Sequence, residues 1–252
     1  MKIMVQGQLV EYKDEGTGPV IVLLHGWGAN LASFSDLAKE LSNNARVIRL
    51  DFPGFGGSVK PDDSWGVGEY AQFVSAFLKK LNIDAVDAFI GHSFGGRVII
   101  KGIATGVLSA KKIVLLDTAG VRPQPTAKKA FLKMIAKTGK VVTTIPGLRK
   151  IRPLLRSKLY AAAGATDYLN AQAMQKIFIH TINEDLLPYV ASITQPCLLV
   201  WGERDAETPV ADAYKIMNEL TDGTLTVVPE AGHFVYLDEP VIVTKALKAF
   251  LS

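Results

Sequence analysis

Short apolar runs recur along the chain, separated by longer stretches in which apolar residues return with helical spacing. The runs are rich in β-branched and aliphatic residues, which is typical of strands buried on both faces of a parallel sheet. They are Val20–Leu24, Val47–Leu50, Ala88–Ile90, Ile113–Leu116, Leu198–Trp201 and Leu225–Val228. Ahead of them, the first eleven residues alternate in polarity around Gln6-Gly7 and predict a β-hairpin.

The stretches between these runs predict helices. One stretch carries a single apolar stripe, formed by Tyr70, Phe73, Val74, Phe77, Leu78 and Leu81. Pro240 suits the first turn of a last helix that continues towards Phe250. Because strands and helices alternate, the sequence predicts an α/β fold with a mostly parallel, doubly wound sheet of eight strands flanked by helices.

One interval breaks this alternation, since about 80 residues between Leu116 and Leu198 contain no convincing strand. Amphipathic patterns in the interval predict helices near Ala127–Lys137, Leu148–Tyr160 and Tyr168–Thr181. The 252 residues suit one large domain with an insertion. We therefore predict a core domain over residues 1–120 and 189–252, and an inserted helical cap over residues 121–188.

A candidate nucleophile lies in Gly91-His92-Ser93-Phe94-Gly95, which matches G-x-S-x-G between the strand Ala88–Ile90 and a helix that begins near Gly96. The glycines are needed because a serine on such a strained turn brings neighbouring backbone too close for other side chains. Taken alone, the pentapeptide also fits an ordinary turn between a strand and a helix. The assignment of Ser93 as a nucleophile therefore depends on the groups predicted around it.

A serine hydroxyl needs a base to take its proton, and the chain has four histidines. His233 lies in the loop after Leu225–Val228, and functional groups gather in loops at the carboxyl ends of parallel strands. His92 adjoins Ser93 but is expected to be directed away by the turn, while His180 falls in a helical pattern and is expected in the cap. His233 is therefore the predicted base.

The base in turn needs a carboxylate that fixes its tautomer and stabilises its charged form. Asp205 lies just past Leu198–Trp201, so its loop leaves the same sheet edge as the loop of His233. Asp205 is the predicted acid. The alternatives are Glu203, Glu207 and Asp117.

Two backbone N–H groups are also needed to bind the oxyanion of a tetrahedral intermediate. One is predicted at Phe94, directly after the candidate nucleophile. The other is predicted at Trp27, in the loop His25-Gly26-Trp27-Gly28 that follows Val20–Leu24. By themselves, these glycines would equally suit a tight turn.

Five motifs in this order resemble those of the α/β-hydrolase superfamily over nearly the whole chain. They are Leu24-His25-Gly26-Trp27-Gly28, Asp51-Phe52-Pro53-Gly54-Phe55-Gly56-Gly57-Ser58, Gly91-His92-Ser93-Phe94-Gly95-Gly96, Trp201-Gly202-Glu203-Arg204-Asp205 with Pro209, and Gly232-His233. The resemblance implies the α/β-hydrolase fold with a small cap, and Ser93, Asp205 and His233 in the family's order. A serine nucleophile argues against haloalkane dehalogenases and epoxide hydrolases. It favours the branch of carboxylesterases and carbon–carbon bond hydrolases.

These features predict a serine hydrolase of the carboxylesterase type, which cleaves uncharged carboxylic esters of moderate size through an acyl-enzyme. The predicted substrate-binding residues are Trp27, Phe131, Met134, Phe178 and Phe234. Apolar residues at helical spacing also serve simple packing. A carbon–carbon bond hydrolase would use the same triad, with Arg97 as an anchor for a substrate carboxylate unless Arg97 pairs with a structural one. A ligand receptor without turnover is a third alternative.

The charge distribution is uneven, although the net charge is only +4. Eleven of the 28 Lys and Arg residues lie between Arg122 and Lys158, and the segment from Thr118 to Thr166 contains no Asp or Glu. This basic segment is either a solvated helix face or a surface for an acidic partner or an anionic substrate. The loop of Trp27 resembles that of pimeloyl-carrier-protein methyl esterases, which bind an acidic carrier protein. His92 departs from the tryptophan that those esterases carry before the serine.

The sequence also argues against several classes of function. No run approaches the roughly 18 apolar residues of a membrane span, and no signal-peptide core follows Lys2, so cytoplasmic residence is expected. Basic charge without a recognition motif argues against nucleic-acid binding. Gly54–Gly57 lacks the lysine and serine of a P-loop, and no cluster has metal-ligand spacing, so neither a cofactor nor a metal is predicted. Cys197 is expected to be an inert buried thiol.

Overall fold

A computed structural model describes residues 1–122 and 172–252, which form an α/β structure around one eight-stranded sheet. The strands are β1 (Lys2–Val5), β2 (Gln8–Glu15), β3 (Val20–Leu24), β4 (Arg46–Leu50), β5 (Ala88–His92), β6 (Lys112–Leu116), β7 (Cys197–Gly202) and β8 (Gly223–Val228). Their order across the sheet is β1-β2-β4-β3-β5-β6-β7-β8. Each strand predicted from an apolar run is present, with ends that differ by two residues or fewer.

The strand pairing confirms the predicted mixed sheet. β1 and β2 form the N-terminal hairpin, and its turn places Gln6 and Gly7 at positive φ. β2 pairs antiparallel with β4, whereas β4, β3, β5, β6, β7 and β8 are parallel to one another. The carboxyl ends of these parallel strands therefore meet at one edge of the sheet, where ligand sites of α/β folds lie.

Helices cover both faces of the sheet. They are α1 (Ser35–Leu41), α2 (Val67–Lys80), α3 (Phe94–Ala104), α4 (Gln175–Asn183), α5 (Leu187–Val190), α6 (Val210–Glu219), α7 (Val235–Asp238) and α8 (Pro240–Leu251). Short 3₁₀ turns precede α1 and α4. The predicted stripe of α2 is turned inward, and Pro240 begins α8 as expected.

The core consists of one apolar layer on each face of the sheet. Along β3, Val22 and Leu24 belong to the layer under α2 and α3, while Ile21 and Leu23 belong to the layer under α1 and α8. This alternation follows from the two-residue period of a strand, and burial on both faces explains why the run is apolar throughout. Cys197 is buried in the first layer, and burial raises the pKa of its thiol to about 12.

The predicted boundary between the core and a cap over residues 121–188 stays a prediction, because residues 123–171 lie outside the described part of the chain. α4 lies within the predicted cap range 121–188 and α5 crosses its end, and their buried residues Ile177 and Val190 join the layer under α2 and α3. None of the helices in the described ranges has the length and apolar character that crossing a bilayer requires.

Glycine allows α3 to begin in contact with β3. A Cβ atom built on Gly95, the second residue of α3, would lie 1.9 Å from the backbone oxygen of Leu24 and 3.0 Å from that of His25. Both atoms belong to the backbone, so neither can move aside as a flexible side chain would. The first turn of α3 therefore lies against the end of β3 only because residue 95 has no side chain.

We expect Gly95→Ala to lower the free energy of unfolding by at least about 2 kcal/mol, because the added methyl group would clash with the Leu24 carbonyl. Gly68→Ala is the matched control, since Gly68 is the second residue of α2 and its Cβ would meet nothing within 4 Å. The control should be neutral or more stable by up to about 1 kcal/mol. Urea unfolding followed by circular dichroism measures both. Equal stability of the two variants would contradict the close approach of α3 to β3.

Candidate active site

The predicted residues lie on three neighbouring loops at the carboxyl edge of the sheet. Ser93 follows β5 directly, Asp205 follows β7, and His233 lies between β8 and α7. Ser93 has φ 48° and ψ −106°, a strained conformation for a residue other than glycine. Gly91 makes this turn possible, because a Cβ there would lie 2.6 Å from the backbone nitrogen of Gly96.

Asp205 and His233 form a hydrogen-bonded pair. His233 Nδ1 lies 2.8 Å from Asp205 Oδ2, and the side chains are 9% and 0% exposed respectively. Asp205 also accepts hydrogen bonds from the N–H groups of Glu207 and Thr208 and from the Thr208 hydroxyl. A carboxylate with this set of donors holds the proton of His233 on Nδ1. The lone pair of a neutral imidazole is then on Nε2.

The pair shifts the pKa values of both groups in the direction that general base catalysis needs. Burial alone would raise the pKa of Asp205, but hydrogen bonds from His233 and Thr208 outweigh it and hold the pKa below its ordinary value of 3.8. Burial alone would lower the pKa of His233, but Asp205 outweighs it and raises the pKa above 6.5. The Glu207 carboxylate adds to this rise.

Ser93 Oγ and His233 Nε2 do not form a hydrogen bond in this structure. The atom near Nε2 is Glu207 Oε2, at 3.4 Å, and the Glu207 side chain is largely exposed. Hydrogen bonds of a catalytic base are often loose in a free enzyme and tighten when substrate binds. The geometry therefore brings Asp205 and His233 into contact, and Ser93 directly follows His92, whose ring lies 4.9 Å from that of His233.

His25 braces the loop that is predicted to supply an oxyanion donor. Its Nε2 accepts a hydrogen bond from the N–H of Phe52 at 3.0 Å, so Nδ1 carries the proton and donates to the Gly26 carbonyl at 2.8 Å. Burial lowers the pKa of His25 to about 4, which keeps the ring neutral. Fixing the Gly26 carbonyl also fixes the peptide group that carries the N–H of Trp27. No hydrogen bond among the described residues uses the N–H of Trp27 or of Phe94.

Three of the five predicted substrate-binding residues lie in the described part of the chain. The Trp27 ring contacts the rings of Phe55, Phe94 and Phe178, with centroid distances of 4.9, 5.4 and 5.0 Å. Phe234 is 40% exposed, and its ring lies 5.5 Å from that of His233. The surroundings of the candidate site are therefore strongly aromatic. The predicted residues Phe131 and Met134 lie outside the described residues.

Asp117, the alternative acid from β6, has a different set of partners. Its Oδ1 accepts from Gly202 N–H at 2.8 Å and its Oδ2 from Val235 N–H at 2.9 Å. Asp117 thus ties the loops that carry Asp205 and His233 to the end of β6. Burial raises the pKa of Asp117 to about 7, although both N–H donors favour its charged form. This bracing role follows from long-range contacts that no local sequence pattern indicates.

Two other residues singled out in the sequence lie away from the Asp205–His233 pair. Arg97 is buried, and its guanidinium donates to the backbone carbonyl groups of Thr181 and Glu184. Arg97 was expected to anchor a substrate carboxylate or to pair with a structural one. It does neither, because it binds backbone carbonyl groups and the Glu184 carboxylate pairs with Lys101. His180 is an exposed residue of α4.

No group of three or more His, Cys, Asp or Glu residues within the described ranges could hold a metal ion. His92, which the sequence suggested would be directed away, lies against the loop of His233, with ring centroids 4.9 Å apart. Sequence reasoning missed this contact because the two residues are 141 positions apart.

This chain is similar to several known hydrolases. The model of the alpha/beta hydrolase family matches residues 21–246. A 2-hydroxy-6-oxo-6-(2'-aminophenyl)hexa-2,4-dienoic acid hydrolase of Metapseudomonas resinovorans is 26% identical, over 98% of this chain and 88% of that protein. A pimeloyl-[acyl-carrier protein] methyl ester esterase of a Shewanella species is 29% identical, over 89% of this chain and 88% of that protein.

A solved structure, the enol-lactonase from Burkholderia xenovorans LB400, is similar with a TM-score of 0.77 and 19% identity. The similarity covers 100% of this chain and 99% of that one. At this identity the likeness concerns the fold alone. The family match, in contrast, covers most of the chain and includes all three loops of the candidate site. The chain belongs to the alpha/beta hydrolase family.

Proposed function

We propose that this protein is a carboxylic ester hydrolase in which Ser93 is the nucleophile, His233 the base and Asp205 the residue that orients the base. The hydrogen bond of 2.8 Å between His233 Nδ1 and the buried Asp205 carboxylate carries this proposal. It supplies a basic nitrogen at the sheet edge where Ser93 is held on a strained turn. A Ser-His-Asp set of this kind activates a hydroxyl that is otherwise a weak nucleophile.

In the first half of the reaction, Ser93 Oγ attacks the carbonyl carbon of the ester while His233 Nε2 takes the hydroxyl proton. The carbonyl oxygen becomes an oxyanion, and the N–H groups of Trp27 and Phe94 donate to it. Collapse of the tetrahedral intermediate breaks the bond to the alcohol oxygen, which receives the proton from His233. The acyl group remains on Ser93 as an ester.

In the second half, water attacks the acyl-enzyme and gives a proton to His233 Nε2. A second tetrahedral intermediate forms at the same carbon, and its collapse returns the proton to Ser93 Oγ. The products are a carboxylic acid and the free enzyme. Asp205 stays ionised throughout, because its hydrogen bonds hold its pKa below 3.8.

The surroundings of the pair favour an uncharged ester with an apolar acyl group. The Trp27 ring contacts the rings of Phe94 and Phe178, and Trp27 and Phe94 are also the residues of the two predicted donors. Carbon–carbon bond hydrolysis of a dienoate would need a cation for the substrate carboxylate. Arg97, which the sequence offered for this, is occupied by two backbone carbonyl groups. This observation favours the ester over the dienoate.

We expect a fluorophosphonate probe to label the wild-type protein at one site, and Ser93→Ala to abolish both labelling and hydrolysis of p-nitrophenyl esters. Ser192→Ala, at an exposed serine after α5, is the matched control and should label as the wild type does. Intact-protein mass spectrometry reads the label, and absorbance reads the hydrolysis. Absence of an adduct on the folded wild-type protein would refute the enzyme proposal.

Kinetics of the wild-type protein distinguish ester hydrolysis from carbon–carbon bond hydrolysis. A panel of p-nitrophenyl esters from acetate to palmitate is compared with a vinylogous 1,5-diketone acid, whose cleavage changes its absorbance. We expect kcat/KM to be higher for at least one ester than for the diketone acid, because no carboxylate anchor is supplied by Arg97. The reverse order would replace the ester proposal by the carbon–carbon one.

Asp205→Asn is expected to lower kcat by about 10³–10⁴, because an amide in place of the carboxylate no longer fixes the tautomer of His233 or stabilises its charged form. Glu203→Gln is the matched control in the same loop, since Glu203 is exposed and accepts a hydrogen bond from Glu230 N–H. Its kcat should stay close to the wild-type value. Steady-state kinetics with the best ester measures both, and a larger loss in Glu203→Gln would overturn the assignment of the acid.

The pH dependence of kcat/KM should show one acid limb with an apparent pKa above 6.5. His233 must be neutral to act as a base, and its pKa is raised, so activity is lost as the pH falls through that value. Asp205→Asn and Glu207→Gln both remove charge that raises this pKa, and each should move the limb to lower pH. Rate measurements with an uncharged ester between about pH 5 and 9 test this. An acid limb with an apparent pKa at or below 6.5 in the wild type would contradict the assignment.

A further inference from the structure

His92 lies between two of the loops named in the mechanism, the loop of Gly26 and Trp27 and the loop of His233. It is the last residue of β5 and directly precedes Ser93, and its side chain is 1% exposed. Its ring lies 4.9 Å from that of His233, 5.0 Å from Phe234 and 5.1 Å from Tyr236, measured between centroids. The mechanism described above gives this buried, polar side chain no role.

One ring nitrogen of His92 is hydrogen-bonded to the backbone of His233. His92 Nε2 lies 2.7 Å from the carbonyl oxygen of His233. A carbonyl oxygen only accepts hydrogen bonds, so Nε2 carries the proton and donates it. Burial, together with repulsion from a charged His233, lowers the pKa of His92 to about 3, so its ring stays neutral where His233 titrates. His92 is therefore a constant donor and not a second base.

The other nitrogen faces the loop that carries Trp27. A Cβ built on Gly26 would lie 2.7 Å from His92 Nδ1 and 3.4 Å from the Cβ of Ser93. His92 Nδ1 is buried and has no hydrogen-bond partner among the described residues. The imidazole thus fills the space between the loop of Gly26 and the loop of His233. Its position is fixed by packing on one side and by a hydrogen bond on the other.

We propose that His92 is a positioning residue, whose Nε2–H bond to the His233 carbonyl sets the distance between Ser93 Oγ and His233 Nε2. This inference rests on the proposed function. The bonded peptide group limits rotation about the His233 backbone, and that rotation directs the imidazole. Two further hydrogen bonds hold the loop of His233. Val235 N–H donates to the Asp117 carboxylate, and Gly232 N–H donates to the Asp238 carboxylate. Of these contacts, only the bond from His92 is made by the neighbour of the nucleophile.

The size of the effect follows from the sensitivity of proton transfer to position. Ser93 and His233 are not hydrogen-bonded in the free protein, so the base must approach by a small movement when substrate binds. A misplacement of about 1 Å from such a change can cost roughly 10²-fold in rate. If His92 merely filled space, an apolar ring would be the best replacement. A positioning donor would be replaced best by a side chain that donates from the same place.

The test compares His92→Phe with His92→Gln. Phenylalanine retains an aromatic ring without a donor, whereas the glutamine amide can donate from about the position of an imidazole Nε2. We expect His92→Phe to lower kcat by about 10–100-fold with little change in KM, and His92→Gln to recover most of that loss. His92→Met, which is apolar and adapts to irregular space, replaces His92→Phe if the latter does not fold. Circular dichroism verifies that each variant is folded.

A pH profile adds a second readout that packing would not change. In His92→Phe the His233 ring is held less firmly against Asp205, so the acid limb of kcat/KM should move to lower pH, towards the ordinary value of 6.5. His92→Gln should keep the wild-type limb. Full kcat in His92→Phe, or equal losses in the phenylalanine and glutamine variants, would overturn the inference.

The rate of fluorophosphonate labelling separates this inference from the proposed function. If the wild-type protein is not labelled at all, the function itself fails, whatever His92 does. If the wild type is labelled at Ser93 and His92→Phe is labelled at the same rate, the function stands and only the role of His92 fails. Labelling that is slower in His92→Phe and restored in His92→Gln supports both.

Discussion

The hydrogen bond between Asp205 and His233 is the contact on which the arrangement of the site depends. A carboxylate whose side chain is fully buried is destabilising unless donors surround it. Asp205 has such donors within its own turn, from Glu207 and Thr208, in addition to His233. The tautomer of His233, and with it the basic nitrogen, is then determined by a group prepared in a different loop.

A second buried carboxylate, Asp117, supports this arrangement from the neighbouring strand. It accepts hydrogen bonds from Gly202 N–H at the end of β7 and from Val235 N–H just after His233. Burial raises the pKa of Asp117 to about 7, whereas the bonds of Asp205 to His233 and Thr208 outweigh burial and lower its pKa. Opposite shifts of two nearby carboxylates separate their roles, because only Asp205 is charged over the whole range in which His233 titrates.

Much of the fold was predictable because burial on both faces makes strands such as Val20–Leu24 apolar along their whole length. β5 was harder, since it continues through Gly91 and His92, which pair with Leu115 and Leu116 of β6 although neither is part of an apolar run. Local patterns could not reveal contacts such as that of His92 with the His233 carbonyl. These depend on how the loops are stacked at the sheet edge, and spacing along the chain contains no information about that.

Three histidines at this edge show why residue type alone does not determine chemistry. His25 and His92 have backbone groups as their hydrogen-bond partners, and burial lowers their pKa values to about 4 and about 3. The side chain of His233 is only 9% exposed, but its partner is a carboxylate, and its pKa is raised instead. Two imidazoles are thereby fixed as neutral braces of the backbone. The third is left as a group that can accept a proton near neutral pH, and the difference is made by Asp205.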